Sequence, residues 1–136
     1  GRKGLPLDVL GQVTQAALRA YGIPFASVET VRAAPDKGVQ KELKAQLTRF
    51  ETSGSCILIA HFDQGAFVRE LNIPHISPVG GFDPATLKVT ILDVDPSQPS
   101  PYEISFDRFF SGISTHYLYL FRLFGYGRGG YVLIRL

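Results

Sequence analysis

The sequence is poor in sulfur and lacks long apolar runs. It has one cysteine and no methionine among 136 residues, which rules out an internal disulfide and fits a reducing compartment. No run approaches the roughly 20 apolar residues of a membrane span, and no signal peptide is visible. Because the chain starts at Gly1 without methionine, we expect a trimmed or processed form, or part of something longer. We predict a cytoplasmic location and no membrane partner.

Clustered charge of either sign is also lacking. The net charge is +2, and the basic residues are scattered along the chain. Nucleic-acid binding would need a basic stripe with stacking aromatics, so we expect no nucleic-acid partner. The hydrophobic share of 45% and the charged share of 19% are values of a globular protein. The length suits one domain, residues 1–136.

The first third of the chain predicts two helices around one short strand. Apolar residues recur at three- and four-residue steps over residues 7–21, and Gly22 is placed to end that helix. A strand is predicted over residues 23–30. Asp36 can cap a second helix that runs to about Glu51.

The apolar run over residues 56–60 indicates a strand buried on both sides. This context decides the interpretation of Cys56. A reactive thiolate needs an electropositive site, whereas burial among aliphatic side chains raises the pKa of a thiol. We therefore interpret Cys56 as structural and not as a nucleophile.

Three further segments have weaker signals. Residues 64–74 suggest an exposed loop, and Ser105 can cap a short helix over residues 106–112. Residues 125–130 match the G-x-G-x-x-G sequence pattern of a dinucleotide-binding loop. That motif must be followed by a helix, whereas a strand is predicted after residue 130. We reject a nucleotide site there.

A metal site is a weak alternative for His61 and Asp63. In an extended chain they face the same side, and His75 follows twelve residues after Asp63. Zinc sites usually cluster three or four ligands at short spacings. We therefore assign no metal ligands.

The most informative stretch is His75-Ile-Ser-Pro-Val-Gly-Gly-Phe-Asp83, followed by Leu87-Lys-Val-Thr-Ile-Leu-Asp93-Val94. It predicts two antiparallel strands joined by a turn at residues 83–86. The near-equal arms bring His75 and Asp93 within reach of one hydrogen bond. A carboxylate beside an imidazole fixes its tautomer and stabilises the imidazolium. Asp95 is a rival partner on the same strand face.

Two helices, then four or five strands and a short helix, predict an α+β fold. The stretch around His75 and Asp93 also resembles the histidine–aspartate half of phytochelatin synthases, which are papain-like cysteine enzymes acting on glutathione. Weaker similarity runs from about Gly4 to Ile134. The resemblance implies a papain-like fold, of which this chain would be the antiparallel sheet lobe with flanking helices. It would form the C-terminal two thirds of a phytochelatin synthase-like domain.

The resemblance also implies an activity for the complete protein. A cysteine that lies before residue 1 would attack the Cys–Gly bond of glutathione or a related thiol peptide, with His75 and Asp93 as catalytic residues. The acyl group would pass to water or to a second glutathione. Arg128 matches an arginine that binds the substrate carboxylate in the family, although a simple loop arginine is an equal interpretation. No cofactor is required, while thiol-bound cadmium or zinc would activate synthesis.

Two departures keep other functions open. The family has a glycine pair before the histidine, where this chain has Ile73-Pro74, and an arginine after the aspartate, where it has Asp95-Pro96-Ser97. One alternative is another papain-like peptidase, resembling the leader-peptide peptidases of bacteriocin exporters. Another is a non-catalytic binding module. The apolar residues 116–124 suggest core packing, or a contact with the preceding segment or with a second subunit in a homodimer.

Overall fold

Four helices and six strands make up the part of the chain that the computed structural model describes, residues 5–66, 73–94, 100–117, 119–123 and 126–136. The helices are α1 (Leu7–Ala20), α2 (Lys37–Ser53), α3 (Phe106–Ser114) and α4 (Tyr119–Arg122). The strands are β1 (Ser27–Arg32), β2 (Cys56–Asp63), β3 (Pro74–Asp83), β4 (Lys88–Ile91), β5 (Tyr102–Ser105) and β6 (Gly130–Arg135). Within these ranges, no helix is long and apolar enough to cross a membrane.

The strands form one six-stranded sheet in the order β1-β6-β2-β3-β4-β5. Every neighbouring pair is antiparallel. The last strand in sequence, β6, lies between β1 and β2, and all of its residues except Arg135 are buried. The predicted α+β class is confirmed.

Helices cover both faces of the sheet. The main apolar core lies between one face and helices α2 and α3, with Leu43, Leu58, Phe62 and Phe109 fully buried. On the other face, Leu7 and Leu10 of α1 pack with Val132 and Ile134 of β6. The two core clusters together fix the sheet and thereby the strand ends.

Helix ends follow the local sequence as predicted. The Asp36 carboxylate accepts hydrogen bonds from the backbone N–H groups of Gly38 (2.6 Å) and Val39 (3.1 Å) at the start of α2. The Ser105 hydroxyl accepts from the N–H of Arg108 at the start of α3, at 3.2 Å. Such caps satisfy N–H groups that a helix leaves unpaired.

The predicted apolar face of the first helix is only half correct. Leu7 and Leu10 are buried, whereas Val13 is 47% exposed and Tyr21 is 82% exposed. The fully buried contacts of α1 come from Leu7 and Leu10, and Leu18 near its end is only partly buried against the same cluster. Position on an apolar stripe therefore did not by itself determine burial.

The segment after β2 also differs from the prediction of an exposed loop. Residues Gln64–Ala66 form one turn of 3-10 helix, and Gln64 is 5% exposed. Its N–H donates to the carbonyl of Ile73 at 3.0 Å, which extends the β2–β3 pairing. The middle of the predicted loop, residues 67–72, lies outside the described residues.

The glycines before β6 serve close packing of the backbone. A strand follows them, as predicted, and not the helix that a dinucleotide loop requires. A side chain on Gly129 would collide with the backbone carbonyls of His61 and Ile113. Gly130 has φ +159° and no room beside the carbonyl of Val31. Gly125, the first glycine of the pattern, is outside the described part.

Two neighbours on β2 offer a matched test of the core. We expect Leu58→Ala to lower the free energy of unfolding by about 2–5 kcal/mol, because it opens a cavity beneath α2 and α3. Ile57 is 37% exposed, so Ile57→Ala should cost clearly less. Urea denaturation of both variants measures the difference, and equal losses would contradict the assignment of the two strand faces.

Candidate functional site

The hairpin of β3 and β4 positions the candidate site. Its register pairs Asp83 with Lys88 at the turn and Val79 with Ile91 further along, with an irregularity between Val79 and Gly81. The strand β4 ends at Ile91, so the predicted strand, which closes at Asp93, is two residues too long. Pairing nevertheless continues for one step, because the N–H of Leu92 donates to the carbonyl of Pro78 at 3.0 Å.

That register brings His75 and Asp93 to one face of the sheet. With Pro78 opposite Leu92, Asp93 falls opposite Ser77 and diagonally beside His75, within the reach of long side chains. The Nε2 atom of His75 lies 2.8 Å from Oδ1 of Asp93. The predicted hydrogen bond is therefore confirmed. The rival, Asp95, lies outside the described residues.

The pair is set into the edge of the main core. The Asp93 side chain is 1% exposed and that of His75 is 15% exposed. Phe62, the cross-strand neighbour of His75 on β2, meets the imidazole edge to face with ring centroids 5.5 Å apart. A buried carboxylate must be compensated by donors, and the His75 ring supplies one of them.

Tyr102 supplies a second donor, which the sequence did not single out. Its hydroxyl donates to Oδ2 of Asp93 at 3.0 Å. The residue opens β5 and pairs with Ile91 of β4, so a third strand completes the site. Burial, and next the Asp93 charge, raise the pKa of Tyr102, which keeps the phenol protonated and able to donate. Only the unpredicted β5 reveals this contact.

The arrangement assigns different tasks to the two ring nitrogens of His75. An ionised carboxylate can only accept hydrogen bonds, so the bond between Asp93 and His75 requires the proton to be on Nε2. In the neutral ring, Nδ1 then carries the lone pair. No group hydrogen-bonds to Nδ1 among the residues that the structure describes. An imidazole held by a carboxylate at one nitrogen, with the other nitrogen open, can act as a general base.

The cysteine is remote from this imidazole. Cys56 begins β2, six residues before Phe62, the neighbour of His75, which corresponds to roughly 20 Å of strand. Its side chain is buried, with Sγ 3.8 Å from the carbonyl oxygen of Gln46. Burial raises the pKa of the Cys56 thiol. The predicted burial of Cys56 in a strand is confirmed, and its structural role stays a prediction.

His61 and His75 do not form one cluster, because they lie on opposite faces of the sheet. His61 pairs with Ile76, the neighbour of His75 along β3, and side chains alternate between faces. Nε2 of His61 lies 2.7 Å from the carbonyl oxygen of Leu5, and Nδ1 accepts a hydrogen bond from the Tyr117 hydroxyl. Within the described ranges, no group of three potential metal ligands occurs.

Arg128 contacts a histidine. Its Nε donates to Nε2 of His116 at 2.9 Å, and the two residues form an isolated antiparallel bridge. Partial desolvation lowers the pKa of His116, and the charges of Arg128 and Arg122 lower it further. The neutral imidazole can therefore accept. This hydrogen bond does not join Arg128 to the His75–Asp93 pair, and its predicted role toward a substrate carboxylate stays a prediction.

The chemistry of Cys56 gives a direct prediction. Because thiolate is the reactive form, we expect iodoacetamide at pH 8 to alkylate Cys56 in the folded chain at least roughly tenfold more slowly than in urea. Mass spectrometry over time measures both rates. Equal rates would show an accessible, ionisable thiol and would reopen its assignment as nucleophile.

The buried His61 predicts a pH dependence of stability. Burial lowers the pKa of His61 from its ordinary value of 6.5, so below about pH 6.5 the unfolded chain binds a proton that the folded chain refuses. This contribution to stability is complete above pH 6.5 and is lost as the pH falls toward the folded-state pKa, at up to about 1.4 kcal/mol per pH unit.

His61→Gln is the matched variant, since an amide can also donate to Leu5 and accept from Tyr117. Urea denaturation between pH 5 and 8 should show a flatter dependence in this variant than in the unmodified chain, as the reasoning on linkage requires. Parallel curves would mean that His61 takes up its proton without unfolding.

Comparison with known proteins assigns this chain to no family. No protein-family model matches the chain, and no curated protein matches it either. The likeness to phytochelatin synthases rests on the residues quoted from the sequence. The site is therefore characterised by its own described contacts: a buried carboxylate that accepts hydrogen bonds from His75 and Tyr102, and a His75 Nδ1 with no hydrogen-bond partner among the described residues.

Proposed function

We propose that this chain is the sheet lobe of a papain-like cysteine enzyme of the phytochelatin synthase type. The observation that carries the proposal is the His75–Asp93 pair, in which a buried carboxylate occupies Nε2 and leaves Nδ1 open. A general base for a thiol needs this tautomer and this restraint. The motif around both residues supplies the family, and the α+β fold with an antiparallel sheet is compatible with it.

The nucleophile in this proposal is a cysteine of the complete protein that lies outside this chain. The thiol proton passes to Nδ1 of His75, and the thiolate attacks the carbonyl carbon of the Cys–Gly bond of glutathione. As the tetrahedral intermediate collapses, His75 returns the proton to the leaving glycine amine. Asp93 holds the ring orientation and stabilises the imidazolium during this step. An acyl-enzyme of γ-glutamylcysteine remains.

The second half of the reaction uses the same imidazole. His75 deprotonates water, which gives hydrolysis, or the amine of a second glutathione, which gives a longer thiol peptide. The new bond to the acyl carbon forms as the thioester bond breaks, and His75 returns its proton to the cysteine sulfur. Division into two steps lowers each barrier. Cadmium or zinc would enter as thiolate complexes of the substrate, and Arg128 would bind a substrate carboxylate.

A leader-peptide peptidase is the second candidate, and one observation favours it. Ile73, where the family has glycine, is 42% exposed two residues before His75. A branched side chain at this position leaves less space for substrate beside His75 than a glycine pair would leave. The two candidates share the triad and differ in the peptide that they cut.

The test uses the complete protein that contains this chain. We expect His75→Ala to reduce glycine release from glutathione by roughly 10²- to 10⁴-fold, the usual contribution of a positioned acid–base group, and Asp93→Asn to give a smaller loss in the same range. Lys41→Ala, at an exposed position of α2, is the control and should keep most of the activity. Turnover is followed by chromatography of the released glycine.

The outcomes separate the candidates. Cleavage of a glycine-rich leader peptide without cleavage of glutathione would favour the second function. Full thiol-peptide turnover in His75→Ala would end both enzymatic proposals. No turnover of either substrate by the unmodified protein would favour the non-catalytic binding module.

A further inference from the structure

The Asp93 carboxylate is held on both oxygens by residues from different strands. His75 of β3 contacts Oδ1 at 2.8 Å, and the Tyr102 hydroxyl of β5 donates to Oδ2 at 3.0 Å. Asp93 itself lies two residues beyond the end of β4, where the strand ladder no longer restrains its backbone fully. The strand pairing therefore does not fix the orientation of the Asp93 carboxylate about its Cβ–Cγ bond. Hydrogen bonds to its two oxygens restrain that orientation.

Tyr102 is well placed to provide that restraint. Its backbone is fixed by the pairing with Ile91, and its ring is half-buried against the main core. The hydroxyl remains a donor over the working range of pH, because burial and the neighbouring carboxylate raise the pKa of Tyr102. Tyr102 thus offers Asp93 a donor on a strand-paired backbone, and this donor stays protonated at neutral pH.

We propose that Tyr102 is a positioning residue of the site: by holding Oδ2 of Asp93 it directs Oδ1 at Nε2 of His75 and so fixes the ring orientation and the tautomer in which Nδ1 of the neutral imidazole carries the lone pair. Tyr102 would touch no substrate and would act only through Asp93. Its catalytic consequence rests on the proposed function, while its effect on the imidazole does not.

A second buried hydroxyl, on β3, offers an internal comparison. Extending the pairing of Leu92 with Pro78 by one step places Ser77 opposite Asp93, and Ser77 is completely buried. Its Oγ has no hydrogen-bond partner in the part of the chain that the structure describes. Of these two hydroxyls, that of Tyr102 donates to the Asp93 carboxylate and that of Ser77 does not. The proposal requires their removal to have different effects.

The first experiment needs no substrate. In ¹⁵N-labelled chain, NMR should show His75 with its proton on Nε2, and we expect Tyr102→Phe to increase the solvent exchange rate of that proton roughly five- to tenfold, the effect of losing one supporting hydrogen bond. Ser77→Ala should leave the exchange rate unchanged. Tyr131→Phe, which removes the hydroxyl of a buried tyrosine elsewhere in the core, is the control for general loosening of the fold.

Urea denaturation of the same variants measures whether a faster proton exchange arises from lower overall stability. An unchanged exchange rate in Tyr102→Phe would overturn the proposal, and so would an equal increase in Ser77→Ala or Tyr131→Phe. An increase confined to Tyr102→Phe, at a stability similar to that of Tyr131→Phe, supports it.

The second experiment links the restraint to catalysis in the complete protein. With glutathione as substrate, Tyr102→Phe should lower kcat roughly 10- to 100-fold through misalignment and leave KM within about twofold. Faster proton exchange without any activity in the unmodified protein would retain the positioning role and reject the proposed function. Normal kcat in Tyr102→Phe would reject the positioning role alone.

Discussion

The buried negative charge of Asp93 is the constraint on which the site depends. A carboxylate that is 1% exposed is unfavourable unless donors replace the water that it has lost. Two of those donors are His75 on β3 and Tyr102 on β5, on either side of the strand that leads to Asp93. Removing one donor exposes the charge to an unmet desolvation cost. Compensation of the Asp93 charge thus requires both the order of strands β3, β4 and β5 and the orientation of the His75 ring.

The alternation of side chains in the sheet separates the two buried histidine environments. His61 and His75 lie on neighbouring strands but on opposite faces. His61 has both nitrogens occupied, by Leu5 and Tyr117, and its pKa is lowered by burial. It ties the segment before α1 to the segment after α3. His75 retains an open nitrogen. One histidine is therefore suited to structure and the other to chemistry, although the two residues have the same side chain.

Much of the local structure could be predicted from the sequence. The caps at Asp36 and Ser105 depend on neighbours within three residues, and the His75–Asp93 contact depends on one hairpin. Errors arose where burial depends on distant segments. Val13 belongs to the predicted apolar stripe but is exposed, although Leu10 before it and Leu18 after it pack on the core cluster beside β6. Gln64 is buried, because the β2–β3 pairing continues into its turn.

The sequence by itself determined the α+β class, the hairpin and the histidine–aspartate pair, since each follows from periodicity or from contacts across one short turn. Only the tertiary structure decided that Tyr102 completes the carboxylate site and that Cys56 lies at the far end of its strand from His75. Both facts depend on which strands are neighbours and in which register they pair. That choice is made by the burial of whole faces of the sheet, and no short stretch of residues contains it.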